Sequence, residues 1–346
     1  METHRSERPT LADVARHAGV SIATASKALN GHHEVAASTR ARIEAAIAAT
    51  GYVGQRGRRR DARASVEFLV DRLTSPYAME ILRGATLAAE EADIDIVVAR
   101  FHHPGSARTD AQVIRRLAAS DRLGAIVVTA EVTETTYSAI SGSGIPVVFV
   151  DPLRVDDASI VSVASTNWTG GRSATAHLLG LGHTRLGIVG GPRESMSAKA
   201  RIDGFRSAAA EAGVPIDPAF VAHALFTHDA ALAVALEWLR RPDRPTAILA
   251  SNDAQAMGVL EAARRLAIRV PEDLSVVGYD DTYVAAWAHP PLTSVYQPLQ
   301  DIGRVSLRTI QRLSAGEQLD SHHIELATRL VVRESTAPPP TDRNAP

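Results

Sequence analysis

Along the first fifty positions, apolar residues recur at helical spacing in three short bursts. Leu11, Val14, Ala15 and Ala18 stand at i, i+3, i+4 and i+7, which predicts a helix over Leu11–Ala18. Thr10 supplies its N-cap, and Asp13 three residues on makes a capping-box variant. Gly19 ends that helix, and Ser21 caps the next, Ile22–Asn30, which Gly31 closes. A third runs over Ala37–Thr50 and stops at Gly51. From Ser65 the period changes. Short β-branched runs predict strands at Val66–Val70, Asp95–Ala99, Ala125–Thr129, Pro146–Val150, Leu186–Val189, Ala247–Ala250 and Ser275–Gly278. Helical patterns lie between them, at Ala78–Ala92, Arg108–Ala119, Gly170–Leu181, Ala198–Ala212, Asp229–Arg240 and Asp253–Ala267. This alternation predicts α/β architecture, parallel sheets with helices on both faces. The stretch is long for one such sheet, so two similar lobes are expected, although no short sequence repeat is visible.

Charge changes the picture. The chain of 346 residues has a net charge of −2, but the sign is unevenly placed. Residues 1–63 hold 11 Lys and Arg against 6 Asp and Glu, and the remainder holds 26 against 33. A small basic head on a larger acidic body suggests a nucleic-acid-binding module joined to something else. Residues 53–64 are charged and have no apolar face, as a solvated linker would be. There is no cysteine, which excludes disulfides, thiolate metal sites and cysteine nucleophiles. The longest apolar runs, Gly124–Ala130 and Ile145–Val150, are too short to span a bilayer, and Met1–Pro9 lacks a signal peptide's apolar segment. A cytoplasmic location is expected.

Thr10–Gly31 reads TLADVARHAGVSIATASKALNG: two short helices joined by a tight Gly-Val-Ser turn. Such a pair can lay its second helix in a DNA major groove. The small side chains Ala23, Thr24, Ala25, Ser26 and Ala28 permit close approach, and Lys27 supplies a charge. The same pattern also suits an ordinary helical hairpin in a core. The segment Thr10–Gly51, through Leu11-Ala12-Asp13-Val14-Ala15, Ala18-Gly19-Val20-Ser21, Thr24, Ser26, Leu29-Asn30, Thr39-Arg40 and Gly51-Tyr52, closely resembles the DNA-binding headpiece of the LacI/GalR family of bacterial repressors. The resemblance continues through His177-Leu178, Gly182-His183, Arg201-Ile202-Asp203-Gly204-Phe205, Ser251-Asn252-Asp253, Ser275–Asp281, Pro290-Pro291-Leu292-Thr293 and Gln297. It spans about residues 10–335.

The resemblance implies a helix-turn-helix headpiece over 1–52, an arginine-rich hinge over 53–64 and a two-lobed, periplasmic-binding-protein-like body over 65–335. Lobe one takes about 65–164 plus 296–323, and lobe two about 165–293 plus 324–335. Residues 336–346 are Pro-rich and expected to be disordered. The implied function is a ligand-responsive repressor, a homodimer on a pseudo-palindromic operator, with no catalytic role and no cofactor. Ile22, Ala23 and Lys27 would face base edges, Ser21, Thr24, Asn30 and Thr39 would hold phosphates, and Thr10 would also belong to the DNA-binding surface. The effector, most often a sugar in this family, would lie between the lobes.

The residues give their own reason to look there. Asp253 follows a strand and opens a helix, so it lies at the carboxyl edge of a sheet, where open α/β sheets bind ligands. With Arg201 it offers an acceptor and a donor for a polyhydroxylated ligand. Alternatively, Asp253 only caps its helix and Arg201 is a surface ion pair. Ser75, Tyr77, Asp151, Asn167, Trp168 and Gln297 are further effector-binding candidates, with Trp168 as fit for packing as for stacking. Tyr279 reads as structural. No phosphate-cradling Gly-Lys loop and no Gly-x-Ser-x-Gly elbow occur. His32-His33, His102-His103 and His322-His323 are adjacent pairs, which do not converge on one metal unaided.

The hinge departs from the family. Its members commonly insert a leucine into the central minor groove nine residues past the tyrosine that ends the headpiece; here that position is Asp61, and no Leu occurs from Gly54 to Ser65. Arg56, Arg58, Arg59, Arg60 and Arg63 stand there instead. They fit either an arginine-filled, A·T-rich minor groove or a linker that touches phosphates only.

Overall fold

The computed structural model of the chain describes residues 10–29, 35–50, 63–101, 110–128, 138–140, 142–153 and 159–340. It divides into two units, Met1–Arg63 and Ala64–Pro346. Asn30 and the hinge candidates Arg56, Arg58 and Arg59 lie outside the described residues.

The first unit contains α1 (Leu11–Ala18), α2 (Ile22–Leu29) and α3 (Ala37–Thr50). The capping box at Thr10 forms as the spacing predicts. Asp13 N donates to Thr10 Oγ1 at 3.3 Å, and Thr10 N donates to Asp13 Oδ2 at 2.8 Å. Gly19 ends α1 at φ 61°, a left-handed conformation that a Cβ would strain. Val14, Ala18, Ala28, Val35, Ile43 and Ala46 close a small core. From α3, Arg42 Nη2 donates to the carbonyls of Ala18 and Gly19 at 2.5 and 3.1 Å, so the third helix clamps the turn between the first two.

The second unit holds two six-stranded sheets of matching order. In lobe one, β1 (Ala64–Val70), β2 (Ile94–Arg100), β3 (Gly124–Val128), β4 (Val147–Val150) and β5 (Ser162–Ser165) are joined by β11 (His323–Leu326) in the order β11-β5-β4-β3-β1-β2. In lobe two, β6 (Leu186–Gly190), β7 (Val221–His223), β8 (Ala247–Ala250), β9 (Ser275–Asp280), β10 (Thr293–Tyr296) and β12 (Arg329–Val331) run β12-β10-β9-β8-β6-β7. All pairings are parallel except β10 with β12. The central strands are buried along nearly their whole length, as expected where helices cover both faces.

The helices are α4 (Pro76–Glu91), α5 (Asp110–Ala118), α6 (Asn167–Gly180), α7 (Met196–Glu211), α8 (His228–Leu239), α9 (Asp253–Arg265), α10 (Tyr283–Trp287) and α11 (Leu299–Ser314). The chain crosses between lobes after β5, β10 and β11. Consequently α6 starts at lobe one but packs on α7 in lobe two, and α11 starts at lobe two but packs on α4 in lobe one. Glycines let both pairs close. A Cβ on Gly204 would sit 2.1 Å from the Trp168 carbonyl oxygen, and one on Gly303 would sit 2.0 Å from that of Ile81.

Three expectations need correction. The pairing of β11 with β5 carries lobe one to Leu326 rather than 323. The strands Ser162–Ser165, Val221–His223, Thr293–Tyr296, His323–Leu326 and Arg329–Val331 are not legible, because all are three or four residues long and most are interrupted by serine, threonine or charge. The expected disorder from residue 336 does not hold for its first residues. Ser335 is buried, accepting from Thr293 N at 2.8 Å and donating to the Val276 carbonyl at 2.6 Å. Thr336 Oγ1 lies 3.0 Å from His177 Nε2, and the Ala337 carbonyl lies 2.8 Å from Nε2 of the buried His183. Proline-rich composition forbids a ladder but not this stitching by side chains. Residues 341–346 lie outside the described residues.

Candidate functional site

The carboxyl edges of the two sheets face one cavity of about 510 Å³. Lobe one contributes Val70, Arg72, Ser75, Tyr77, Arg100, Val128 and Asp151, and lobe two contributes Pro192, Ser197, Arg201, Leu225, Phe226, Asn252 and Asp280. Ser75 caps α4, its Oγ accepting from Ala78 N, and this places Tyr77 on the first turn beside the cavity. Ser195 caps α7 in the same way and so aims Ser197 from the opposite lobe.

The polar floor is a connected network. Tyr77 Oη donates to Asp151 Oδ2 at 2.5 Å. Asn167 Nδ2 lies 3.4 Å from Asp151 Oδ1, and Asn167 Oδ1 accepts from Arg201 Nε at 2.8 Å. Arg201 Nη1 donates to the Ser251 carbonyl at 2.5 Å and stands 3.9 Å from Asp280 Oδ1. The guanidinium lies over the Tyr279 ring, 3.9 Å from its centre. Asp280 Oδ1 accepts from Gln297 Nε2 at 2.6 Å, and Gln297 Oε1 accepts from Ser165 Oγ at 2.5 Å.

Asp151 and Asp280 are buried, and both have left-handed backbones, at φ 41° and 99°. Such strain costs about 1–3 kcal/mol per residue and clusters at binding sites. Burial pushes both carboxyls up, and Arg201 pulls each back. Asp280 is pushed further, with Asp253 nearby adding repulsion.

Four candidates therefore line the cavity directly: Ser75, Tyr77, Asp151 and Arg201. The alternative of a surface ion pair fails for Arg201, which is buried. Asn167 and Gln297 stand behind the carboxylates and orient them. Trp168 faces elsewhere: with Met196 and His323 it lines a separate cavity of about 500 Å³ across the Asp151–Asn167 wall. Asp253 borders a small recess of about 170 Å³, but its carboxylate is already engaged. Oδ2 accepts from Thr282 N and Oγ1 at 2.7 and 2.9 Å, and Oδ1 accepts from Ser294 Oγ at 2.6 Å. Burial, partly offset by these bonds, raises its pKa to about 7. Helix capping, the other reading of Asp253, belongs to Asn252, which accepts from Gln255 N at 2.8 Å. Sequence reasoning missed Asp280, Phe226, Asn252 and Arg100. Asp280 and Asn252 did carry a signal, as members of the stretches Ser275–Asp281 and Ser251-Asn252-Asp253 that bear the family resemblance.

In the first unit, Ser21 Oγ accepts from Thr24 N at 3.1 Å, so both side chains sit at the start of α2. Ala25 and Ala28 turn inward, while Ile22, Ala23 and Lys27 are exposed on one face. Thr10 is exposed, and Thr39 is half-buried in the first turn of α3. Among the described residues no group of three or more acidic or histidine side chains could hold a metal ion.

Residues 10–55 match the family model described as bacterial regulatory proteins, lacI family, and residues 175–336 match that of the periplasmic binding protein-like domain. The HTH-type transcriptional regulator CelR of Thermobifida fusca is 33% identical over 341 residues, covering 96% of this chain and 99% of that one. The chain belongs to the lacI family. A solved CelR–cellobiose complex superposes on this lacI-family chain with a TM-score of 0.72 at 32% identity, covering 95% of this chain and 100% of that one. The lac repressor dimer bound to operator and the anti-inducer ONPF gives 0.73 at 26% identity, with 96% and 100% covered. The protein is thus a DNA-binding transcriptional regulator of the lacI family, its body built on the periplasmic-binding-protein-like fold. Among the described residues, no helix is long and apolar enough to cross a membrane.

Proposed function

We propose that this regulator represses transcription as a cytoplasmic homodimer on a pseudo-palindromic operator, and that a sugar held between its lobes sets operator affinity. The observation that carries this reading is the cavity shared by both sheets' carboxyl edges, with Asp151, Asp280 and Arg201 at its floor. Paired carboxylates accept from hydroxyls, the guanidinium donates to them, and Phe226 offers an apolar face for a sugar ring. The cellobiose bound by CelR supports the same class. Ser75, Tyr77, Asp151 and Arg201 contact the effector, with Asn167 and Gln297 positioning the carboxylates. The protein performs no catalysis and needs no cofactor. On DNA, Ile22, Ala23 and Lys27 face base edges, Ser21, Thr24, Asn30 and Thr39 hold phosphates, and Thr10 belongs to the same surface. Arg56, Arg58 and Arg59 enter the central minor groove, where arginine suits narrow A·T-rich sequence.

The test is a thermal-shift screen of mono- and disaccharides, followed by operator binding with each hit. A ligand bound only by the folded state raises the unfolding midpoint. A sugar that raises the midpoint and changes operator affinity is expected. No shift with any sugar, alongside a shift with nucleobases, would replace the sugar reading.

A further inference from the structure

The outward face of α2 has an unusual make-up for a surface that reads DNA. Ile22 is 54% exposed, at the first turn of the helix. It does not serve the core, which is closed by Val14 and Ile43 at 0% and 1% exposure. Ala23 beside it is exposed, and the next outward residue is Lys27. The hydroxyls of Ser21 and Thr24, the nearest polar groups, lie 2.8 Å apart and bond to each other. At its leading turn this helix therefore turns the aliphatic carbon of Ile22 and Ala23 outward, with the two hydroxyls beside it rather than on it.

Resting on the proposed operator reading, we infer that Ile22 recognises the C5-methyl group of a thymine, so that part of each half-site is read by apolar contact. In a helix-turn-helix, the N-terminal residues of the second helix meet base edges in the major groove. That groove displays donors, acceptors and one apolar feature, the thymine methyl. An isoleucine placed against a donor or acceptor would strip its water and return no hydrogen bond, which is unfavourable. Against a methyl, both partners lose only apolar hydration, which is favourable. Ala23 allows the backbone to come close enough for the contact.

The test uses the full chain and an operator enriched from a random duplex library. Each thymine is replaced in turn by uracil, which deletes only the methyl group. One position per half-site should lose about fourfold in affinity, the equivalent of one buried methyl. Ile22→Ala should weaken the thymine operator by a similar factor and leave it indifferent to uracil at that position. Cytosine there should bind poorly, and 5-methylcytosine should recover part of the loss. Because Ile22 is exposed, the variant should keep the parent's thermal midpoint. A uracil scan flat within twofold would overturn the inference while leaving the operator reading intact. So would uracil sensitivity that survives Ile22→Ala. Failure to enrich any sequence would overturn the operator reading, and this inference with it.

Discussion

The two lobes share a strand order but charge their shared cavity differently. Asp151 directly follows β4 and Asp280 ends β9, the third strand in each sheet order. Each has a left-handed backbone, and each meets an amide from the crossover that follows the next strand, Asn167 or Gln297. There the likeness stops. Asp151 receives a phenol from its own lobe, Tyr77, whereas Asp280 faces the Arg201 guanidinium of lobe two and the neighbouring Asp253. The buried positive charge of the floor thus belongs to lobe two. Duplicated topology fixes where a side chain can sit, and the local sequence then decides its chemistry. Lobe two holds the buried guanidinium at the floor, whereas lobe one brings the Tyr77 phenol to the floor and sets its own arginines, Arg72 and Arg100, at the exposed part of the wall.

The largest expected break of this asymmetry is Arg201→Ala. It strands two buried carboxylates, and removing one member of a buried charged network costs about 3–5 kcal/mol. Urea unfolding should show that loss, and calorimetry with an active effector should show no binding. Tyr77→Phe, the lobe-one counterpart, should cost about 1–3 kcal/mol through one unmet buried acceptor. Equal losses in the two variants would contradict the assignment of charge to lobe two.

Gly204→Ala and Gly303→Ala sharpen the comparison at helix level. Both force a Cβ against a carbonyl, so each should destabilise by about 1–3 kcal/mol. Only Gly204 lies between the helices that carry Asn167 and Arg201. Gly204→Ala should therefore also weaken effector binding, and Gly303→Ala should leave it near the parent value. Equal ligand affinities would show that the floor tolerates movement of α6 against α7.

The smallest effect is in pH. Burial holds His177 and His183, both in lobe two, below the usual 6.5. The unfolded chain takes up their protons first, so their stabilising contribution is full above about 6.5 and lost as pH falls below it. Asp253, raised to about 7, acts in the opposite sense. The native carboxyl keeps a proton that the unfolded chain releases near 3.9, so its contribution is lost as pH rises through 7. Asp151 and Asp280, raised by burial, act in the same sense as Asp253; Asp253→Asn removes its own share of this second trend and eases that of Asp280. The variant's urea midpoint should climb more steeply between pH 5 and 7.5 than that of the parent. Parallel curves would mean that Asp253 is ionised throughout.

The headpiece was legible because its signals are local. Thr10, Gly19 and Ser21 act on groups within three or four residues, and all three perform as their spacing predicts. The alternating body was legible for the same reason, wherever a strand was long and apolar. The site was only half legible. Ser75, Tyr77 and Asp151 sit just past a strand or at a helix start, which the pattern marks, and Arg201 lies inside a helix that the family resemblance marks. Asp253 occupies such a place too, but Thr282 and Ser294, distant in sequence, claim its oxygens. Phe226 reaches the cavity from a loop with no periodicity to announce it. Trp168, equally fit by sequence for packing or stacking, is directed by the turn of α6 to the far side of the wall.

The crossovers also set the order in which the protein can be finished as it leaves the ribosome. Lobe one is synthesised first, yet α11, which covers its α4, comes from residues 299–314, and its edge strand β11 from residues 323–326. Its sheet must wait, one edge unpaired, while nearly all of lobe two emerges. An unpaired sheet edge invites association with other chains. The half of the body made earliest is thus exposed longest during synthesis.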